Sequence, residues 1–176
     1  MRRLFSLGIF VAAAALVLSP AARAQPAKPG PELEKLKQLE GTWEATMKFG
    51  GSESKGTAVY RMDLGGMWLV SDFKGEFGGM PFSGKGLDSY DPLTKKYVSV
   101  WVDSMSTVPM TTTGEYDKDG KVLTMTGESR GPDGKMQKVK MVSEMKDKDT
   151  MLFTMFGQGP DGKDGEMFTI SYKRKK

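Results

Sequence analysis

The sequence contains no cysteine and no histidine. Without cysteine the chain has no disulfides and no residue for a thioether-linked lipid anchor, so its core alone must stabilise it. Without histidine it has no Ser-His-Asp or Cys-His catalytic arrangement and no histidine ligand for zinc or haem. We therefore predict that the protein is not an enzyme and has no metal or cofactor.

Long apolar runs are also scarce, and the one that stands out lies at the N-terminus. Residues 1–24 begin with a basic pair, continue through an apolar run to Leu18 and end in an Ala22-x-Ala24 pattern. This arrangement is typical of a secretory signal peptide, and the run is too short for a membrane-spanning helix. We predict export by general secretion rather than the twin-arginine route. The expected location is periplasmic or extracellular, with no membrane span.

The basic charge is concentrated at the two ends of the chain. The formal net charge of +4 comes from 26 basic and 22 acidic residues. Loss of Arg2, Arg3 and Arg23 with the leader leaves 23 against 22, and residues 173–176 carry four of those positive charges. The body of the protein then offers no positive field, which argues against a nucleic-acid partner.

Two short N-terminal segments precede the rest of the chain. The proline-rich residues 25–31 predict a linker, and residues 32–176 a single domain. Leu33, Leu36 and Leu39 fall at three-residue spacing, which indicates a short helix with one apolar edge. We expect this helix to cap the domain.

From residue 41 onward the apolar period changes to the alternation of half-buried antiparallel strands, with Gly-Gly and Asp-Gly pairs between them. The predicted strands are Gly41–Phe49, Thr57–Asp63, Met67–Lys74, Pro81–Leu87, Lys96–Ser104, Met110–Tyr116, Val122–Ser129, Met136–Met145, Met151–Phe156 and Glu166–Lys173. An up-and-down meander of this kind must close or stack to remove its edges. We predict an all-β fold, an antiparallel up-and-down barrel of eight to ten strands, rather than a sandwich. A membrane barrel is disfavoured because Lys138 and Lys140 occupy the face opposite the apolar one.

The densest local chemistry lies in residues 89–107, where a Tyr-Asp-Pro turn precedes an aromatic and β-branched strand. Alternation along this strand places three valines on one face, which suits dry packing. It places aromatic, hydroxyl and carboxylate side chains on the other face. The mixed set suits a pocket wall with a few fixed polar contacts: Tyr97, Ser99, Trp101, Asp103 and Met105. For Asp103 we favour a carboxylate that accepts backbone N–H groups, and ligand contact stays the alternative.

Two further patterns resemble chemical sites, and both are incomplete. The hydroxyls of Ser104, Ser106 and Thr107 have no histidine and no nearby lysine as a base, which disfavours serine-type catalysis. Asp117-x-Asp119-Gly120 resembles the start of a calcium loop, but the remaining acidic ligands are missing. A hairpin turn is the better interpretation.

A series of short motifs runs through the chain in order. It comprises Gly41-Thr42-Trp43, Leu64-Gly65-Gly66-Met67-Trp68, Tyr90-Asp91-Pro92, Lys96-Tyr97-Val98, residues 101–107, Asp119-Gly120 with Leu123-Thr124, and Tyr172-Lys173-Arg174. As a set these motifs resemble the domain of unknown function 1579 family of bacterial proteins over residues 36–174. The resemblance implies a calycin-like, lipocalin-type barrel and no established activity or substrate. It also implies that Arg174 covers the ring of Trp43.

Methionine is abundant, with 14 residues of which all but Met1 follow the leader. Its flexible thioether fills irregular apolar space, so these residues suit either a filled core or an adaptable ligand cavity. Our leading hypothesis is a non-enzymatic barrel that binds a small apolar or amphipathic molecule. The candidate wall residues are Trp43, Tyr60, Trp68, Trp101, Asp103 and Met141. The alternative is a cell-envelope interaction or stress protein with a filled barrel and a working outer surface.

Overall fold

The computed structural model describes residues 28–131, 134–158 and 163–176. The predicted signal peptide, the first residues of the predicted linker and parts of two predicted hairpin turns lie outside the described residues. Within them the chain folds from residue 41 onward as one antiparallel sheet.

Ten strands and one short α-helix account for most of the described residues. The helix α1 spans Leu33–Lys37, and a 3₁₀ turn at Leu64–Gly66 joins the second strand to the third. The strands are β1 (Gly41–Phe49), β2 (Ser52–Asp63), β3 (Trp68–Phe77), β4 (Met80–Asp91), β5 (Lys96–Asp103), β6 (Ser106–Tyr116), β7 (Val122–Arg130), β8 (Met136–Asp147), β9 (Thr150–Gln158) and β10 (Asp164–Arg174).

Each strand pairs with the next along the chain, and β10 pairs with β1 to close the barrel. Closure leaves no free sheet edge, which is the physical reason that a meander of this length does not stay open. The predicted all-β closed barrel with a short leading helix is therefore confirmed, at the upper end of the predicted strand number. Several strands are longer than predicted: β2 begins at Ser52, directly opposite Phe49, because backbone pairing continues through a polar segment.

The helix α1 lies across one end of the barrel. Leu33 and Leu36 are buried in the same cluster as Leu69 and Tyr97 of the barrel wall. The hydroxyl of Tyr97 donates to the carbonyl of Glu32 at 3.0 Å, which ties the start of the helix to β5. Within the described ranges, no helix combines the length and apolar character needed to span a bilayer.

The Gly-x-Trp motif forms a structural latch beneath this helix. Trp43 is completely buried and donates its indole N–H to the carbonyl of Leu39 at 2.8 Å. Arg174 lies opposite Trp43 in the β1–β10 register, with its guanidinium carbon 4.1 Å from the centre of the indole ring. That guanidinium also donates to the carbonyls of Gln38, Glu40 and Lys148 and forms an ion pair with Asp149. The predicted cover of Trp43 by Arg174 is confirmed, and it joins the first and last strands to the segment that follows the helix.

A candidate binding cavity inside the barrel

The inward-facing side chains do not fill the barrel, and they enclose a cavity of about 350 Å³. Ligand pockets in proteins are typically about 300–1,000 Å³, so this space suits a small molecule. The lining is mainly apolar and includes nine methionines: Met47, Met105, Met110, Met125, Met141, Met145, Met151, Met155 and Met167. Aromatic rings from seven of the strands complete the apolar wall, among them Phe73, Phe153 and Phe168.

The cavity extends along the barrel away from α1. Leu36 and Leu39 line it at the helix end, and Phe82 and Met105 line it near the opposite end. Met105 is 57% exposed and also belongs to the lining, so the cavity reaches the protein surface on that side.

The structure brings four of the six candidate wall residues to the cavity: Tyr60, Trp101, Asp103 and Met141. Trp43 does not line it, because the latch under α1 encloses its ring. Trp68 does not line it either. It lies on the outward face of β3, since Leu69 and Phe73 point inward in the opposite phase.

On β5 the predicted mixed face is the inner one, and all five of its residues line the cavity. The predicted dry packing of the valine face is wrong. Val100 is half-buried and Val102 is 45% exposed, because the outer face of a single closed sheet has no second layer to cover it.

Asp103 is held by its own neighbourhood. One carboxylate oxygen accepts the indole N–H of Trp101 at 2.9 Å, and the other accepts the backbone N–H of Met105 at 2.8 Å. Both oxygens therefore have partners within the chain, and the predicted structural role at the turn after β5 is confirmed. Similarly, Asp117 accepts the backbone N–H groups of Lys121 and Val122, as expected of a hairpin turn.

The most unusual group in the cavity is Asp88, which the sequence reasoning did not identify. It lies on β4, between Leu69 of β3 and Ser99 of β5 in the sheet register, and lines the cavity. Burial raises the pKa of its carboxyl to about 6, and a hydrogen bond with the Ser99 hydroxyl partly opposes this increase.

Neutral hydroxyl groups surround Asp88. Tyr60 and Tyr172 share a hydrogen bond, and burial raises the pKa of both phenols. Burial also raises the pKa of Tyr116 to about 12. The charge of Asp88 adds to the increases at Tyr60 and Tyr116, which places these rings within its electrostatic reach. No lysine or arginine is present among the described residues that line the cavity, so a buried carboxyl there has no cationic partner.

Two glycines on β4 provide room for inward-facing side chains of the flanking strands β3 and β5. A Cβ atom at Gly86 would overlap the Oγ of Ser71, and one at Gly84 would overlap the ring of Trp101. The inner face of β4 therefore reads Phe82, Gly84, Gly86 and Asp88. The alternating pattern continues through the two glycines and places Asp88 on the inner face. The sequence did not predict this position because the predicted strand ends at Leu87.

This arrangement can hold an apolar molecule and offer it the carboxyl groups of Asp88 and Asp103 and several hydroxyls. Among the described residues, no three acidic side chains come together as a metal site. The hydroxyl of Ser106 is engaged with Val108 of its own turn, donating to its carbonyl at 3.0 Å, rather than with a base.

One solved structure shows a similar fold. The crystal structure of Rv2717c from M. tuberculosis matches with a TM-score of 0.63 at 16% identity, over 85% of this chain and 100% of that one. Two designed proteins also match: a redesigned β-barrel (TM-score 0.42, 20% identity, 79% of this chain and 93% of that one) and a de novo fluorescence-activating β-barrel (0.44, 16%, 78% and 94%). At 16% identity the likeness to Rv2717c concerns the fold alone.

No curated protein matches the chain. The family described as "Protein of unknown function (DUF1579)" matches residues 28–174, which is most of the chain. The predicted resemblance is therefore confirmed, and the protein belongs to the DUF1579 family.

Proposed function

We propose that this protein binds a small apolar or amphipathic molecule inside its barrel and does not catalyse a reaction on it. The observation that carries this proposal is the cavity of about 350 Å³ lined by methionine and aromatic side chains. Apolar groups that line an empty space lose dispersion contacts, and a bound apolar molecule restores them. Methionine side chains adjust to the shape of such a molecule at low cost.

A cell-envelope interaction protein is the second candidate function, and one observation favours it. Four exposed apolar side chains lie at strand ends opposite α1: Phe49 (40% exposed), Met80 (56%), Met105 (57%) and Met136 (49%). Exposed apolar groups of this kind can mark a protein contact. This candidate also requires a filled barrel interior, and the cavity argues against that. Cross-linking in intact cells distinguishes the two, because a single recurrent protein partner supports the second candidate.

We also propose that the protein is exported before it folds and works in the periplasm or outside the cell. The support is the basic, apolar and Ala-x-Ala pattern of residues 1–24. Mass measurement of the protein purified from cells that express the full-length gene tests this directly. A mature chain that begins at Gln25, recovered from the exported fraction, is expected, and an intact N-terminus in the cytoplasm contradicts it.

The binding proposal is tested by native mass spectrometry of the same purified protein, followed by displacement of a fluorescent fatty acid or retinoid. We expect a non-covalent adduct or saturable displacement at one site. The variant Ser143→Trp places an indole in the cavity and should abolish binding. Its matched control is Val142→Trp, at the neighbouring half-buried position that alternates to the outer face of the same strand. This control should bind normally.

Thermal unfolding of both variants separates a blocked cavity from a failed fold. Loss of binding in both variants, or in neither, contradicts an interior site. Absence of any bound or displaceable molecule in the wild-type protein removes the proposal altogether.

A further inference from the structure

We propose that Asp88 selects ligands that carry a protonated amine beside an apolar body. This inference rests on the proposed binding function and specifies the chemistry of the ligand. Its basis is a single imbalance inside the barrel: the cavity presents carboxyl groups and hydroxyls to its contents and, within the described lining, no cationic side chain.

The two carboxyl groups of the lining are not equivalent. Asp103 already receives an N–H group at each oxygen. At Asp88 the hydrogen bond that opposes the effect of burial comes from one hydroxyl, that of Ser99. A carboxylate has about four acceptor positions, so Asp88 retains capacity for further donors from the cavity side.

An alkylammonium group complements the carboxyl of Asp88 in charge and in hydrogen bonding. It supplies three N–H donors, and charge-assisted hydrogen bonds are roughly twice as strong as neutral ones. The ammonium group would stabilise the ionised form of Asp88, which burial now disfavours. The methionine-rich wall would contact the apolar remainder of the ligand. An alcohol of the same length gains the apolar contacts without the ion pair, and a fatty acid adds a second negative charge next to Asp88.

The groups near Asp88 on the two strands that flank β4 are the hydroxyls of Ser71 on β3 and Ser99 on β5. Further round the barrel, the charge of Asp88 acts on the phenols of Tyr60 on β2 and Tyr116 on β6, and Tyr60 shares a hydrogen bond with Tyr172 on β10. The tyrosine pKa values are raised further above their ordinary value of about 10, so none of these groups changes charge between about pH 5 and pH 8. Asp103 lies four residues beyond Ser99 on β5, where it is paired with Gly84 rather than with Asp88. A change in amine affinity over this pH range therefore reports Asp88.

The test is isothermal titration calorimetry with three probes of matched length, decylamine, decanol and decanoate. The protein is purified from cells that express the full-length gene. At about pH 8 decylamine should bind at least about tenfold more tightly than decanol, and decanoate most weakly. Lowering the pH to about 5 should weaken decylamine about tenfold, because Asp88 with a pKa of about 6 becomes protonated. The affinity of decanol should not change.

The variant Asp88→Asn keeps the shape of the side chain and cannot ionise. We expect it to weaken decylamine about 10- to 100-fold at about pH 8, to remove the pH dependence and to leave decanol unchanged. The control Asp72→Asn removes a carboxyl from the outer face, where Asp72 pairs with Arg61 and Lys85, and should retain wild-type affinity for all three probes. Thermal unfolding verifies that each variant is folded.

The outcomes separate the two proposals. Equal binding of decylamine and decanol, or an undiminished decylamine affinity in folded Asp88→Asn, overturns the amine inference and leaves the cavity-binding function supported by decanol. Tighter binding of decanoate than of decylamine also overturns the amine inference. If none of the three probes binds the wild-type protein, both proposals are wrong for ligands of this size and class. Because the pH profile is measured on the wild-type protein, a variant that does not fold still leaves a decisive result.

Discussion

The half-buried carboxyl of Asp88, which lines the cavity, should make the ligand-free protein less stable as the pH rises. Its pKa is about 6 in the folded chain and about 3.9 in an unfolded one. The folded state therefore binds more protons, and the contribution of this group is most favourable below about pH 4 and lost as the pH rises through about 6. A difference of about two pKa units corresponds to about 3 kcal/mol at neutral pH.

The perturbation that isolates this effect is Asp88→Asn, because asparagine does not titrate. The free energies of unfolding are measured by urea unfolding of the wild-type protein and the variant at about pH 4, 6 and 8. Tryptophan fluorescence monitors the unfolding. The stability of the variant relative to wild type should increase by up to about 3 kcal/mol between about pH 4 and pH 8. Groups that titrate in both proteins cancel in this difference.

A control of opposite sign is available on the outer face of the barrel. Hydrogen bonds from Lys85 and then Arg61 lower the pKa of Asp72 below its ordinary value. Its stabilising contribution is present above about pH 4 and is lost as the pH falls through the folded pKa, so Asp72→Asn should be most destabilising at neutral pH. A difference between Asp88→Asn and wild type that stays constant from about pH 4 to pH 8 refutes the burial of an ionisable Asp88.

Two further predictions concern the latch and the barrel wall. Replacing Arg174 by alanine should lower the free energy of unfolding by about 2–4 kcal/mol, since it removes the contact with Trp43 and several charge-assisted hydrogen bonds. Lys173→Ala, at the exposed neighbouring position, should change stability by less than about 0.5 kcal/mol, and equal losses in urea unfolding would contradict the latch. Thr112 is buried at 1% exposure, and its hydroxyl makes no hydrogen bond within the described residues. Thr112→Val should therefore raise the melting temperature, by the equivalent of about 1 kcal/mol, and a lower melting temperature would show that the hydroxyl has a partner.

Strand existence was predictable from the sequence, and strand length was not. The ten strands follow from alternating patterns between turn residues, as in β1, where Trp43, Ala45 and Met47 point inward. The first half of β2 carries polar and small residues with no such pattern. Its pairing with β1 depends on backbone hydrogen bonds at the hairpin, which every residue except proline can supply.

The face occupied by each aromatic residue was harder to predict. In β3 both phases of the alternation contain apolar residues: Trp68 and Val70 in one, Leu69 and Phe73 in the other. Residue type alone does not decide which phase points inward. The closure of the whole sheet decides it, and it buries Leu69 and Phe73 on the inner face, where Leu69 lies beside Asp88 of β4. This is why Trp68 was predicted to line a cavity that it does not reach.

The two carboxyl groups that point into the barrel, those of Asp103 and Asp88, also differ in a way that residue type alone does not predict. Asp103 is a candidate site residue because it ends an aromatic strand. Its position before a turn also supplies it with local N–H donors. Asp88 lies in mid-strand, where the backbone N–H groups are already committed to the sheet, so local donors are scarce. A mid-strand carboxyl on the inner face of a closed barrel therefore depends on side chains of the flanking strands, here the hydroxyl of Ser99, or on the contents of the cavity. The raised pKa of Asp88 results from that position, and a bound cationic ligand would lower this pKa again.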